Sequence, residues 1–201
     1  MRLKKTINIQ SNNNSMQSFQ DRNRRARSFK PMLEILEDRN LPAIITWIGG
    51  SGNWNTATNW NTGTIPANGD DVIIPDLGAI GEDLTITYSS GSVSLNSIST
   101  AEKLQVSGST LTTNIISGTG TLTISSGTAT INGTSSISNV SLSGGTLTGS
   151  GTLTVQGALN WTNGGIMSGT GTTVVAPTGT MNITTSTGDI QLSRTLQNDG
   201  S

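Results

Sequence analysis

The side chains best suited to chemistry gather in one stretch of this chain. Trp47, Trp54 and Trp60 stand seven and six residues apart. Asp70, Asp71 and Asp76 follow them around Val72-Ile73-Ile74. Indole rings offer flat apolar faces of the kind that stack on sugars. They are also bulky enough to plug the end of a core. The carboxylates, with Asn68, offer oxygen ligands to Ca²⁺, which takes about six to eight. A carboxylate pair is also the minimum for glycoside hydrolysis. Asp beside Asn68-Gly69 is equally turn chemistry. The spacing matches neither an EF-hand loop nor the Gly-Gly-x-Gly-x-Asp repeat of calcium-loaded β-rolls. We therefore expect turn-forming aspartates and a Trp-rich plug, with sugar stacking by Trp47, Trp54 and Trp60 as the alternative.

Other chemistry is restricted by what the chain lacks. It contains no Cys and no His. Thiol nucleophiles, disulfides, imidazole catalysis and the usual zinc ligands are therefore absent. Between residues 104 and 188 there is no Asp, Glu, Lys or Arg. A surface without ionisable groups cannot perform general acid–base catalysis. Gly49-Gly50-Ser51-Gly52 and Gly118-Thr119-Gly120 resemble phosphate loops only superficially, because neither leads into a helix N-terminus. We expect no enzyme, no catalytic residue, no metal and no cofactor.

The elements that carry these residues differ along the chain. Residues 1–39 hold nine Lys and Arg against four acids, a net +5. The remainder holds Lys103 and Arg194 against eight acids, a net −6. Such a split indicates two units. The first is polar and Arg-rich through Arg22-Asn23-Arg24-Arg25-Ala26-Arg27, and reads as disordered. Its charge suits nucleic acid or an anionic surface, but the Arg-rich stretch 22–30 holds one aromatic, Phe29. A solvated leader is the better reading, so no nucleic-acid partner is expected. Pro31 opens one short helix with Met32, Ile35 and Leu36 on a single face, and Pro42 ends it. No apolar run reaches the roughly 18–20 residues of a membrane span.

After Ile44 the chemistry becomes that of strands and turns. Charged residues are only 11% and aromatics 3%, and Thr, Ser, Gly and Asn fill the gap. Thr favours strands, whereas Gly and Asn favour turns. Short alternating segments recur, among them Leu84-Thr85-Ile86, Val93-Ser94-Leu95, Leu122-Thr123-Ile124, Leu153-Thr154-Val155 and Met181-Asn182-Ile183. Each places apolar residues on one side and hydroxyls or amides on the other. Residues 144–155 align with 164–175 at an offset of 20, and an earlier copy at 116–124 aligns with 147–155. About twenty residues of short strands and glycine corners match one coil of a parallel β-helix. Strands this short are unstable alone, and stacking would pair their backbones along an axis. A β-sandwich is the competing architecture, with longer strands and wider turn spacing. A disordered Gly/Ser/Thr tract would leave the alternating aliphatics without a purpose.

Two segments resemble known families. Leu33-Glu34-Ile35-Leu36-Glu37-Asp38-Arg39-Asn40-Leu41-Pro42-Ala43 resembles the Leu-Glu-x-Leu-Glu-Asp-Arg-x-Leu leader of large exported planctomycete-type proteins. Ile35 stands where many members carry Pro. Trp47 to Ile74, with Trp-x-Gly-Gly-x-Gly-x-Trp, Asn-Trp, Ile-Pro and Gly-Asp-Asp-Val-Ile-Ile, is similar to the opening of adhesin-like and autotransporter passenger solenoids. These resemblances imply an extracellular or cell-surface location and a structural or adhesive role.

The expectation is thus an all-β, right-handed parallel β-helix behind a disordered basic leader with one short helix. Residues 1–43 form the leader, 44–83 a Trp-rich N-terminal cap, and 84–201 the coils. The expected partners are cell-surface or extracellular polymers, glycans among them. A carbohydrate-binding module using Trp47, Trp54 and Trp60 is the alternative function. Thr195 to Ser201 reads as the start of another coil, which predicts either a longer protein or end-to-end self-association.

Overall fold

Alternation of apolar and hydroxyl side chains produces three stacked parallel ladders that close into one β-solenoid. A computed structural model describes residues 42–78, 83–185 and 188–201. The basic leader and the expected short helix lie outside the described residues.

The first ladder stacks β1 (Ile44–Thr46), β3 (Asp71–Ile74), the end of β5 (Ser92–Thr100), β6 (Lys103–Ile131), β7 (Ser135–Leu142), β9 (Thr152–Val155), β12 (Thr172–Val175) and β15 (Thr195–Asn198). The second runs through β2 (Gly52–Asn53), β4 (Thr85–Tyr88), β6, β7, β10 (Ala158–Thr162) and β13 (Thr180–Thr184). The third runs through the start of β5, β6, β8 (Thr146–Thr148), β11 (Ile166–Met167) and β14 (Gln191–Leu192). Every ladder is parallel. Among the described residues the single antiparallel contact is the Trp47–Trp60 bridge. A β-sandwich, built from antiparallel sheets, is thereby excluded. Parallel neighbours need a crossover of a dozen residues or more, and here the other two sides of the coil supply it.

Register gives the length of each coil. In the middle, partners lie 18 residues apart, as in Ile86–Leu104, Ile98–Ile116, Val93–Leu111 and Ala129–Leu147. Toward the C-terminus the spacing grows to 20 at Leu147–Met167 and Leu153–Thr173, then 23 at Leu196 and 25 at Leu192. Near the N-terminus it is 27 at Ile45–Val72 and 26 at Val72–Ile98. The 20-residue repeat in the sequence is therefore a true stacking period. The match between 116–124 and 147–155 is not: Leu122 stacks on Val140, and Leu153 on Ser135 and Thr173. That offset joins two different sides of the coil, which look alike because each is an alternating strand entered through glycine. The strands of 44–83 belong to the same ladders as the later coils, so this segment builds the first rung.

Aliphatic columns fill the interior. One reads Ile86, Leu104, then Leu122, Val140, Leu159, every member 1% exposed or less. Each such side chain contributes about 1.5–3 kcal/mol on leaving water. The alternate Thr, Ser and Asn face outward, as in the half-exposed, buried alternation of Thr152-Leu153-Thr154-Val155.

Corners set the second requirement. At Gly149 the backbone has φ +115°, and a Cβ there would fall on the Ile131 carbonyl of the preceding coil. Gly50, by contrast, has open space around its Cβ position and no positive φ. Gly149→Ala is expected to lower the unfolding free energy by more than about 2 kcal/mol. Gly50→Ala should stay within about 0.5 kcal/mol of the parent. Urea unfolding of the two variants checks this, and equal midpoints would refute the corner argument.

Candidate functional site

The tryptophans of the first rung are core residues. Trp47, Trp54 and Trp60 are 0%, 1% and 1% exposed. Trp60 lies edge-on between the other two, with ring centroids 4.8 Å from Trp47 and 4.7 Å from Trp54. Tyr88, one rung later, continues the cluster at 5.5 Å from Trp54. Two of the indole N–H groups are occupied: Trp47 Nε1 donates to the Gly50 carbonyl at 3.1 Å, and Trp60 Nε1 to the Trp54 carbonyl at 2.7 Å. Sugar stacking by Trp47, Trp54 and Trp60 needs a free ring face, and none of the three presents one. The sequence alternative is corrected on this ground, and the rings act as a plug. Trp161, also 1% exposed, packs in the column between Leu142 and Ile183 and donates to the Gly165 carbonyl at 2.9 Å.

The same segment covers the outer edge of β1. The Trp47–Trp60 bridge brings Asn61 against Thr46, with Asn61 N donating to the Thr46 carbonyl at 2.9 Å and Thr46 N to Asn61 Oδ1 at 2.8 Å. Ile48 N donates to the Asn59 carbonyl at 2.8 Å. Gly49 and Gly52 make room for Asn59, whose side chain would meet a Cβ at either position. The Gly-Gly-Ser-Gly run thus seats a side-chain amide.

Asp70 holds a turn, and Asp71 joins β3 to the next rung. Asp70 Oδ1 and Oδ2 accept from Ala43 N at 3.1 Å and Ala67 N at 2.8 Å. Asp71 Oδ1 accepts from Asn96 Nδ2 at 2.7 Å and from Ser97 Oγ. Asp76 joins neither set. Among the described residues no three acids gather as a metal site would require.

Three polar residues with structural roles escaped the sequence reading. Glu102 is 2% exposed, and its carboxylate accepts from Leu77 N and Leu84 N at 2.8 Å and from Gly78 N at 3.1 Å. It ties the two sides of the 75–84 connection to a corner. Arg194, 7% exposed, donates through Nη2 to the Gly151 carbonyl at 3.2 Å, while its Nε is buried without a partner. Burial pushes its pKa down. Tyr88 is 3% exposed, and burial pushes its phenol pKa up. Only Tyr88 left a signal in the sequence, as the lone tyrosine at an inward position of Thr85-Ile86-Thr87-Tyr88. The partners of Glu102 and Arg194 are backbone groups, which no residue pattern announces.

Geometry and burial therefore define a β-solenoid with an aromatic plug in its first rung. Comparison with protein families, curated proteins and solved structures found no match to this chain.

Two outcomes follow from the cluster. Trp60→Ala should cost about 3–5 kcal/mol, because it removes the ring that joins the other two. A thermal or urea midpoint within error of the parent would contradict the plug. Tyr88 is the only tyrosine, so phenolate absorbance reports it alone. With its folded pKa raised above the unfolded value near 10, stability is full below pH 10 and falls as pH rises toward the folded value. Alkaline titration should place the folded transition above that of the urea-unfolded chain; coincident transitions would refute this.

Proposed function

We propose that this chain is a non-enzymatic structural or adhesive β-solenoid that acts outside the cell, at the cell surface or in the extracellular matrix. The observation that carries the reading is the surface of the middle coils. From Leu104 to Gly188 the chain has no ionisable side chain. Its outward positions are mostly Thr, Ser and Asn, with Ile115 the exposed aliphatic among them. Such a surface offers many weak hydrogen bonds and no group able to move a proton in catalysis. It suits contact with hydrated polymers, glycans among them.

Further support comes from the segment at 33–43, with its likeness to export-associated leaders, and from the adhesin-like pattern at 47–74. The last described rung adds Ile183 and Leu192, 46% and 51% exposed, where their column predecessors Trp161 and Met167 are buried. Contact between copies through this rung belongs to the same reading. No helix among the described residues is long and apolar enough to cross a membrane.

Protease treatment of intact cells expressing the full chain tests the location. Cleavage or antibody labelling before lysis, or recovery from the medium, is the expected result. Protection until the cells are lysed would sink the proposal.

A further inference from the structure

A groove of about 460 Å³ opens beside the aromatic plug. Its size falls within the range of small-molecule sites, about 300–1,000 Å³. Ile65, Pro66 and Val93 give it an apolar wall, and Asn55 and Ser92 stand at its rim. Its lining contains no charged residue. The carboxylates of the adjoining turn are turned elsewhere, Asp70 to backbone N–H groups and Asp71 to Asn96 and Ser97.

Tyr88 reaches this groove from inside the solenoid. Its ring is packed against Trp54, and the residue is 3% exposed. Among the described residues, none forms a hydrogen bond with its Oη. The hydroxyl therefore keeps contact with solvent in the groove, since it is neither bonded within the fold nor sealed off from water. It is thus free to bond a molecule that enters the groove. Its position beside Gly91, where a Cβ would lie 3.2 Å from Oη, keeps that approach free of a side chain.

The lining selects the ligand class. Without a cation the groove offers nothing to a phosphate or carboxylate, and without a carboxylate it offers nothing to an amine. A purely apolar guest would leave the phenol unpaired. What remains is an uncharged molecule with an apolar C–H face and hydroxyl groups around its rim. We propose that this groove binds a neutral saccharide unit, with Tyr88 Oη as the hydrogen-bonding anchor at its base and Ile65 and Pro66 as the shelf beneath the ring. Trp54 also borders the groove, with its ring only 1% exposed, and the proposal stands whether or not the chain is exported.

The test uses the full chain and four neutral oligosaccharides: cellotetraose, maltotetraose, mannotetraose and chitotetraose. Saturation-transfer NMR at millimolar sugar detects binding, and titration calorimetry measures it. Expected is binding of at least one sugar, weakened at least tenfold by Tyr88→Phe. The thermal midpoint of that variant should be equal to or above the parent's, since the lost hydroxyl had no partner within the fold. Ser92→Ala, at the exposed rim, provides a second variant and should also weaken binding. Absence of binding by all four sugars would overturn the proposal. So would binding that Tyr88→Phe leaves unchanged.

Discussion

Each rung of this solenoid depends on the carbonyl oxygens of the rung beside it. A parallel ladder satisfies backbone groups only through its neighbours, and a strand of three to five residues has no other source of order. The side strands meet this demand by alternation. Corners meet it by bringing one turn's backbone almost onto the next, as where Gly151 sits against Gly133 and Gly171 against Gly151. Side-chain volume is excluded there by the geometry that pairs the backbone. Abundant glycine and sparse aromatics are thus two consequences of one close approach.

A stack of this kind has ends, and unpaired strand edges recruit other strands. The N-terminal edge is managed by covalent neighbours. The chain turns back after Ala57–Asn59 and lays Asn59 to Asn61 antiparallel along β1. This return reverses the direction of the ladder and so terminates it. The indoles beneath occupy the volume that a preceding rung would fill. Aromatic pairing at about 4.7–4.8 Å, edge to face, makes the plug specific in shape as well as apolar.

Much of the fold was legible because it rests on local alternation. Thr152-Leu153-Thr154-Val155 can bury only one face, and the 20-residue copy at Thr172 told where the next rung would come. The 18-residue spacing of the middle coils was harder to see. Their three sides are near-copies of one another, and similarity between sides masks similarity between coils. Site features were legible only where they depend on residue type. The tryptophans declared themselves by number and spacing, but whether a ring face is free depends on packing that distant segments supply. Trp60, for instance, is enclosed by Trp47, Trp54 and a strand edge contributed by Thr46. The bonds of Glu102 to Leu77, Gly78 and Leu84 join backbone groups about twenty residues away, which no side-chain pattern can encode.

The bare hydroxyl shaft between Lys103 and Asp189 has one more implication. Acid has no group to protonate there, and dissolved salt has no charge to screen. Electrostatic contributions to the stability of the middle coils therefore change little with acidity or ionic strength. Within the solenoid the charged side chains stand before and after this span, Asp70, Asp71 and Glu102 among those on one side and Arg194 on the other. The described solenoid thus holds a chemically indifferent span between two stretches that carry its charge.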